Sequence, residues 1–385
     1  MKVDYSSAFW RTHRLGEHLA GNSPALFVGR IGYPSVNVGI LTPPDVKEDA
    51  WLYDAPRHWA KENYAIPSVL MLRGTLVNSR FSCGVMERNK FTELCQEIGL
   101  ASKPVGVEVD MEKPPSLKMS FFPDAAPYGP QGQLKRALLT ENPSVDKPVD
   151  KVFSDTDMKA VDAVTYLYSK GFDEAFLTKL FSIGGLGLPH QRKLVPTRWT
   201  ITAVDDTLGK SLLSEIKDYP EHDCAAFYGS YLGNYYLIIF FPGIWGFELF
   251  ECVMKQGKIT GVSTDYESYV GRTAYALECA GGYYTVRLAV AEKLHVAKRQ
   301  ARVLAIRLLT EEYTHPLGVW VTREAARKAL ANKPVLFSSP ELGLRYAQLK
   351  IQRDFGVDTS SLLKKSLLLQ EQKEQKTLGS YFSAL

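Results

Sequence analysis

The chain has 385 residues, 45% of them hydrophobic and 11% aromatic, enough apolar material for more than one core and incompatible with global disorder. Forty-six Lys and Arg against forty-two Asp and Glu leave a formal charge of +4, far below that of a dedicated nucleic-acid arm, so any nucleic-acid contact rests on local clustering of cations. Cys83, Cys95, Cys224, Cys252 and Cys279 are scattered without a C-x-x-C pair, which excludes a disulfide framework and a structural zinc site and fits a reducing cytoplasm.

The opening MKVDYSSAFWRTHRLG lacks a continuous apolar region, and no apolar run approaches eighteen residues, so a cytoplasmic chain with no membrane partner is expected. From about residue 24 to 285, short runs rich in Val, Ile, Tyr and Phe alternate with Gly and Pro. The first of these leads into GRIGYPSVNVG, where Gly29, Gly32 and Gly39 sit among Arg30, Ser35 and Asn37. Glycines allow close backbone approach, and amides with a guanidinium suit a phosphate, although the stretch matches neither named phosphate motif. A plain turn carrying a surface Arg30 is the other reading.

DAPRHW then gathers Asp54, Arg57 and His58, with Arg73 on the next apolar run. A carboxylate, a guanidinium and an imidazole this close can orient water against a phosphoryl oxygen; equally, Asp54 can cap a helix that starts near Pro56. TENPSVDKPVDKVFSD, residues 140–155, reads as a surface loop, and TDMKAVDAVTYLYSKG as a helix. In VPTRWTITAVDD, alternation predicts a strand over 198–204 that begins at Arg198 and delivers Asp205 and Asp206 at its end. Paired carboxylates there suit Mg²⁺ or Mn²⁺, and an aspartate before TLGKSLL is also an ordinary helix N-cap. YLGNYYLIIFFPGIW, cut by Gly, Asn and Pro, reads as a buried strand pair.

From about 286 the pattern turns helical, first in VRLAVAEKLHVAKRQARVLAIRLLTEEY and then in REAARKALANK. Lys293, His295, Lys298, Arg299, Arg302 and Arg307 recur along the first of these, a face suited to a DNA backbone or simply to solvent. SSLLKKSLLLQ, residues 360–370, offers one more amphipathic helix, and the polar EQKEQ follows. The fold class expected is α+β: a mixed α/β body over 1–285, a helical region over 286–370 and a short flexible tail over 371–385.

That tail contains QKTLGSYF, residues 375–382, which places Leu378, Tyr381 and Phe382 at i, i+3 and i+4 on one face of a single helical turn, with Gln375 three residues before. The pattern resembles the box by which clients of the sliding clamp PCNA bind it, and the resemblance implies that Gln375, Leu378, Tyr381 and Phe382 contact a clamp. The body has a resemblance of its own. FVGRIGYPSVNVG, DAPRHW, RKLVPTRWTITAVDD, YVGRTAYALECAGGYY and HPLGVWVTREAAR together are similar to the archaeal NreA family of DNA-repair proteins, whose members often end in such a box. Many relatives also carry paired cysteines near the N-terminus; this chain has none, so no zinc finger is expected.

Two functional readings follow. One is a clamp-recruited repair enzyme, a metal-dependent phosphatase or phosphodiesterase acting on nucleotides or DNA ends. Its catalytic candidates are Asp54, Arg57 and His58, its phosphate-binding candidates Arg30, Asn37, Arg73 and Arg198, and its metal-binding candidates Asp205 and Asp206. The other is a noncatalytic adaptor that binds DNA and clamp together.

Overall fold

The structure, a computed structural model, describes residues 15–116 and 126–374. Its mixed sheets and helices make it an α+β protein, as the sequence leads one to expect. The chain divides into two compact units, residues 1–208 with 315–320 and residues 209–314 with 321–385.

The first unit holds a sheet in the order β1-β5-β6-β4-β3-β2. Its strands are β1 (His18–Ser23), β2 (Ala25–Val28), β3 (Ser35–Thr42), β4 (Val77–Gly84), β5 (Val105–Met111) and β6 (Gln131–Leu139). All neighbours pair antiparallel except β4 with β6. Around the sheet lie α1 (Pro56–Lys61), α2 (Ile66–Thr75), α3 (Lys90–Leu100), α4 (Lys147–Ser154), α5 (Ala160–Ser169) and α6 (Glu174–Ser182). The surface loop expected over 140–155 therefore contains a helix, because Val149 and Val152, three apart, share one buried face.

The helix α7 (Thr197–Ile216) replaces the strand expected from Arg198 to Val204. Its β-branched Thr and Ile residues imitate alternation, but the buried side chains over 198–208 are Thr200, Val204, Asp205 and Leu208, at i, i+4, i+5 and i+8. Burial follows the helical period.

The second unit is built on a sheet in the order β10-β9-β11-β8-β7-β12. Its strands are β7 (Ala225–Tyr231), β8 (Asn234–Phe241), β9 (Gly246–Lys255), β10 (Lys258–Glu267), β11 (Arg302–Leu309) and β12 (Val335–Leu336). Two-residue turns close the first two hairpins: Leu232 and Gly233 at φ of 51° and 73°, Gln256 and Gly257 at 49° and 70°. Positive φ at both positions matches the twist of the flanking strands. The apolar run YLIIFF is β8, a central strand buried on both faces, as the strand-pair reading anticipates.

The helices of this unit are α8 (Ala280–Ala297), α9 (Trp320–Ala331), α10 (Pro340–Phe355), α11 (Ser360–Leu363) and α12 (Leu367–Glu374). The long helix expected across 286–313 is in fact α8 followed by β11. It stops at Lys298, which adopts the left-handed conformation at φ 54°, and the run Val303 to Ile306 is buried on both faces between β8 and β9. A doubly buried strand has no polar face to betray its period, so helix and strand read alike in sequence. The textural change at residue 286 accordingly falls inside α8, within the second unit.

The last helices pack on this sheet. Glu248 of β9 is fully buried and accepts from the backbone N–H groups of Leu367 and Leu368 at 3.1 and 3.2 Å and from the Ser366 hydroxyl. A carboxylate at this helix N-terminus satisfies orphan donors, and Leu368 and Leu369 are buried beside it. Residues 371–374, expected in the flexible tail, are therefore the end of α12. The box at 375–382 lies outside the described residues. Among the described residues no helix is long and apolar enough to cross a membrane.

Candidate functional site

The DAPRHW segment forms a structural lattice with α2 and α6. Pro56 opens α1, but its N-cap is Ala55 and makes no side-chain cap bond, so Asp54 does not cap the helix. Its carboxylate instead meets Arg73 at 2.6 Å, and the buried guanidinium also donates to the carbonyls of Pro127 at 2.7 Å and Tyr53 at 3.3 Å. Arg57 grips Glu174 with a two-point fork at 2.6 and 3.3 Å. The His58 ring stands edge-on to Trp51 and Tyr64, with centroids 4.9 and 5.9 Å away. In this group Arg73 locks two loops to a helix, a role that occupies the donors a phosphate would need.

One neighbour escaped the sequence reading. Lys179 of α6 donates to the Ala101 carbonyl at 3.2 Å, and burial pushes its amine down to about 8 against the pull of the Asp54 and Asp173 carboxylates. Burial likewise raises Asp54, while the charges of Arg73 and Lys179 act the other way. Only the tertiary fold brings residues 54 and 179 together, so no local motif marks them.

The glycine-rich segment is the turn between β2 and β3. The Gly29 N–H donates to the Asn37 carbonyl at 2.7 Å, the Ser35 N–H donates to the Gly32 carbonyl at 2.9 Å, and Gly32 holds φ at 86°. A Cβ on Gly39 would lie 1.8 Å from the Asn78 side-chain oxygen. Turn geometry and close packing thus account for Gly32 and Gly39. Arg30, Ile31 and Tyr33 project outward, and the Asn37 side chain is exposed on β3.

Two further segments are stitched to this turn. The Val85 N–H donates to the Pro34 carbonyl at 2.9 Å, and the Leu194 N–H donates to the Val85 carbonyl at 2.9 Å. The first turn of α7 joins them: the Val28 N–H donates to the Thr197 hydroxyl at 2.9 Å, and the Trp199 ring lies 5.0 Å from that of Tyr33 at 58°. Lys193 Nζ reaches the Tyr33 hydroxyl at 3.4 Å. Arg198 is half-buried beside Trp199 in that same first turn. Beside these segments lies a cleft of about 240 Å³ lined by Met86, Arg88, Phe153, Arg192 and Lys193 among others. Arg192 donates to the carbonyls of Phe153 at 2.7 Å and Asp155 at 3.1 Å; burial first, and then the nearby positive charge of Arg88, hold its pKa below the usual value. Glu87, just after β4, accepts from the Gly84 N–H at 2.9 Å and the Asn89 amide at 2.8 Å. The result is an exposed face in which cations surround aromatic and aliphatic side chains.

Asp205 and Asp206 lie on α7, successive and so about 100° apart around the helix, and Asp205 is fully buried. The strand end that would have offered both carboxylates to one ion is not formed. Among the described residues no group of three or more His, Cys, Asp or Glu is placed to hold a metal ion. The basic helical face expected over 293–307 is also divided. Lys293 and Lys298 lie over the rings of Phe227 and Tyr219 at 5.2 and 5.1 Å, and His295 meets Glu215 at 3.0 Å. Arg307, on β11, pairs with Glu251 and donates to the Asn234 side-chain oxygen at 3.0 Å.

Fold and surface together define a two-unit α+β protein with a basic, aromatic face on its first unit. The chain belongs to the archaeal Nre family: residues 4–259 match the family model described as Archaeal Nre, N-terminal, and residues 267–381 the one described as Archaeal Nre, C-terminal. It is 39% identical over 330 residues to the DNA repair protein NreA of Haloferax volcanii, covering 82% of this chain and 78% of that one. Against the DNA repair protein NreB of Archaeoglobus fulgidus it is 38% identical over 355 residues, 90% of this chain and 89% of the relative. The DNA repair protein NreA of the same organism is 37% identical over 338 residues, 86% and 84% of the two chains. No solved structure matches the chain.

Proposed function

We propose that this chain is a DNA-repair protein that holds DNA on the basic, aromatic face of its first unit and is brought to its work by the sliding clamp through residues 375–382. The observation that carries the reading is the meeting of exposed Tyr33 with Trp199 and Lys193, with exposed Arg30 on the same turn as Tyr33 and exposed Arg88 lining the cleft beside Lys193. Family membership and relatives named as DNA repair proteins support the repair role, and the Gln-x-x-Leu-x-x-Tyr-Phe pattern supports the clamp. Of the two readings, the noncatalytic adaptor is favoured, because Asp54, Arg57 and Arg73 are engaged with one another and with Glu174.

Calorimetric titration of the full chain with the source organism's clamp tests the recruitment. Parent affinity in the micromolar range and loss of measurable heat in the Tyr381→Ala/Phe382→Ala variant are expected; equal binding by the two would remove the box from the contact.

Phosphoester hydrolysis is the second reading: burial holds the Lys179 amine down at about 8 in the electrostatic reach of the Asp54 carboxylate. Under that reading Mg²⁺- or Mn²⁺-dependent turnover of a generic phosphodiester disappears in Lys179→Met and His58→Ala. No turnover by the parent across several divalent metals would eliminate it.

A further inference from the structure

We infer that Tyr33 and Trp199 form a stacking platform for unpaired bases, so that the ligand of this face is single-stranded DNA. The inference rests on the nucleic-acid reading above and specifies what that face recognises.

Tyr33 is 40% exposed and Trp199 43%, while Ile31 at the turn tip and Met86 beside it reach 79% and 60%. Large apolar side chains gathered at one place on a surface mark a binding site more than chance scatter does. The segments that carry the two rings are fastened to one another. The turn is closed by the Gly29–Asn37 and Ser35–Gly32 bonds, Pro34 is fastened to Val85, and Thr197 is fastened to Val28. With the Tyr33 hydroxyl held by Lys193 and its ring inclined at 58° to Trp199, both rings are placed before a ligand arrives, so stacking costs little ordering entropy.

Stacking chemistry separates single strand from duplex. A duplex presents phosphates and base edges, whereas its base faces are covered by the neighbouring pairs; an exposed ring can stack only on a base that is unpaired. Exposed Lys193 meets Tyr33, exposed Arg88 lines the same cleft as Lys193, and exposed Arg30 stands three residues before Tyr33; of Glu87 and Glu93, the acids lining that cleft, Glu87 has its carboxylate occupied by Gly84 and Asn89. The platform therefore takes bases on its rings and phosphates on its rim.

The experiment uses the full chain and fluorescently labelled DNA about 20 nucleotides long, single-stranded or annealed to its complement, read by anisotropy at several salt concentrations. The parent should prefer the single strand, and its tryptophan emission should be quenched by oligo-dT. Tyr33→Ala/Trp199→Ala should weaken single-strand binding at least about tenfold with little change in salt slope. Arg30→Ala/Lys193→Ala should lower that slope by about 1.4. Trp199→Phe keeps a stacking ring and should keep the affinity within about threefold while losing most of the quenching. Single-strand binding by the alanine pair equal to the parent, a parent preference for duplex, or undiminished quenching in Trp199→Phe would each overturn the platform while DNA binding stands. A parent that binds neither oligonucleotide would overturn both.

Discussion

Arg73 and Asp54 meet at 2.6 Å in the first unit, with the guanidinium side chain 5% exposed and the carboxylate 28%. The pair joins a helix to the turn that precedes α1, and the same guanidinium holds the Pro127 carbonyl at 2.7 Å. Removing one member leaves the other charge in a water-poor site. Arg73→Met should therefore lower the unfolding free energy by about 3 kcal/mol, and Asp54→Asn, which keeps an acceptor for the guanidinium, by less. Urea denaturation followed by circular dichroism measures both, and a loss below about 1 kcal/mol in Arg73→Met would show that the pair does not hold this region together.

Lys179 makes stability depend on alkaline pH. Burial lowers its folded-state value from 10.5 to about 8, so between these values the unfolded chain binds more protons than the folded one. Stability contributed at this residue then rises as pH climbs from about 8 to about 10.5, and the cost of holding a charged buried amine is fully present below pH 8. The parent minus Lys179→Met difference in unfolding free energy should change with positive slope across that window. A flat difference would mean the amine is fully solvated.

Gly39 has a packing role. Because a Cβ there would lie 1.8 Å from the buried Asn78 side-chain oxygen, Gly39→Ala should destabilise the first unit by about 1 to 3 kcal/mol. Adding Asn78→Ala should recover part of the loss. Non-additivity of this kind is read from the double-mutant cycle in thermal melts, and strictly additive losses would place the strain elsewhere.

All five thiols are buried, and burial raises each above its ordinary value, Cys83 and Cys224 to about 11 and Cys252 to about 12. At pH 8 the folded protein should react with Ellman's reagent far more slowly than a free thiol, and five thiols should titrate at once in guanidinium. A thiol reacting promptly in the folded chain would contradict the burial found for all five.

Much of the local architecture was legible in the sequence. The apolar run of β8 and the helix opening at Pro56 are fixed by turn chemistry and side-chain type within a few residues. The sequence also determined one edge of the exposed face, since Gly32 at positive φ makes a turn and the turn leaves Arg30, Ile31 and Tyr33 exposed. Tertiary packing decided the rest. Whether TRWTITAV runs as strand or helix depended on which side chains found a core, and burial at i, i+4, i+5 and i+8 settled it as α7. β11 became a strand because β8 and β9 leave a gap that only an extended chain fills with its hydrogen bonds paired on both edges. Tyr33 met Trp199, and Asp54 met Arg73 rather than capping its own helix, across separations no local pattern encodes. A side chain's nearest partner in space is set by the fold that buries it, and long-range partners of this kind leave no period in the sequence.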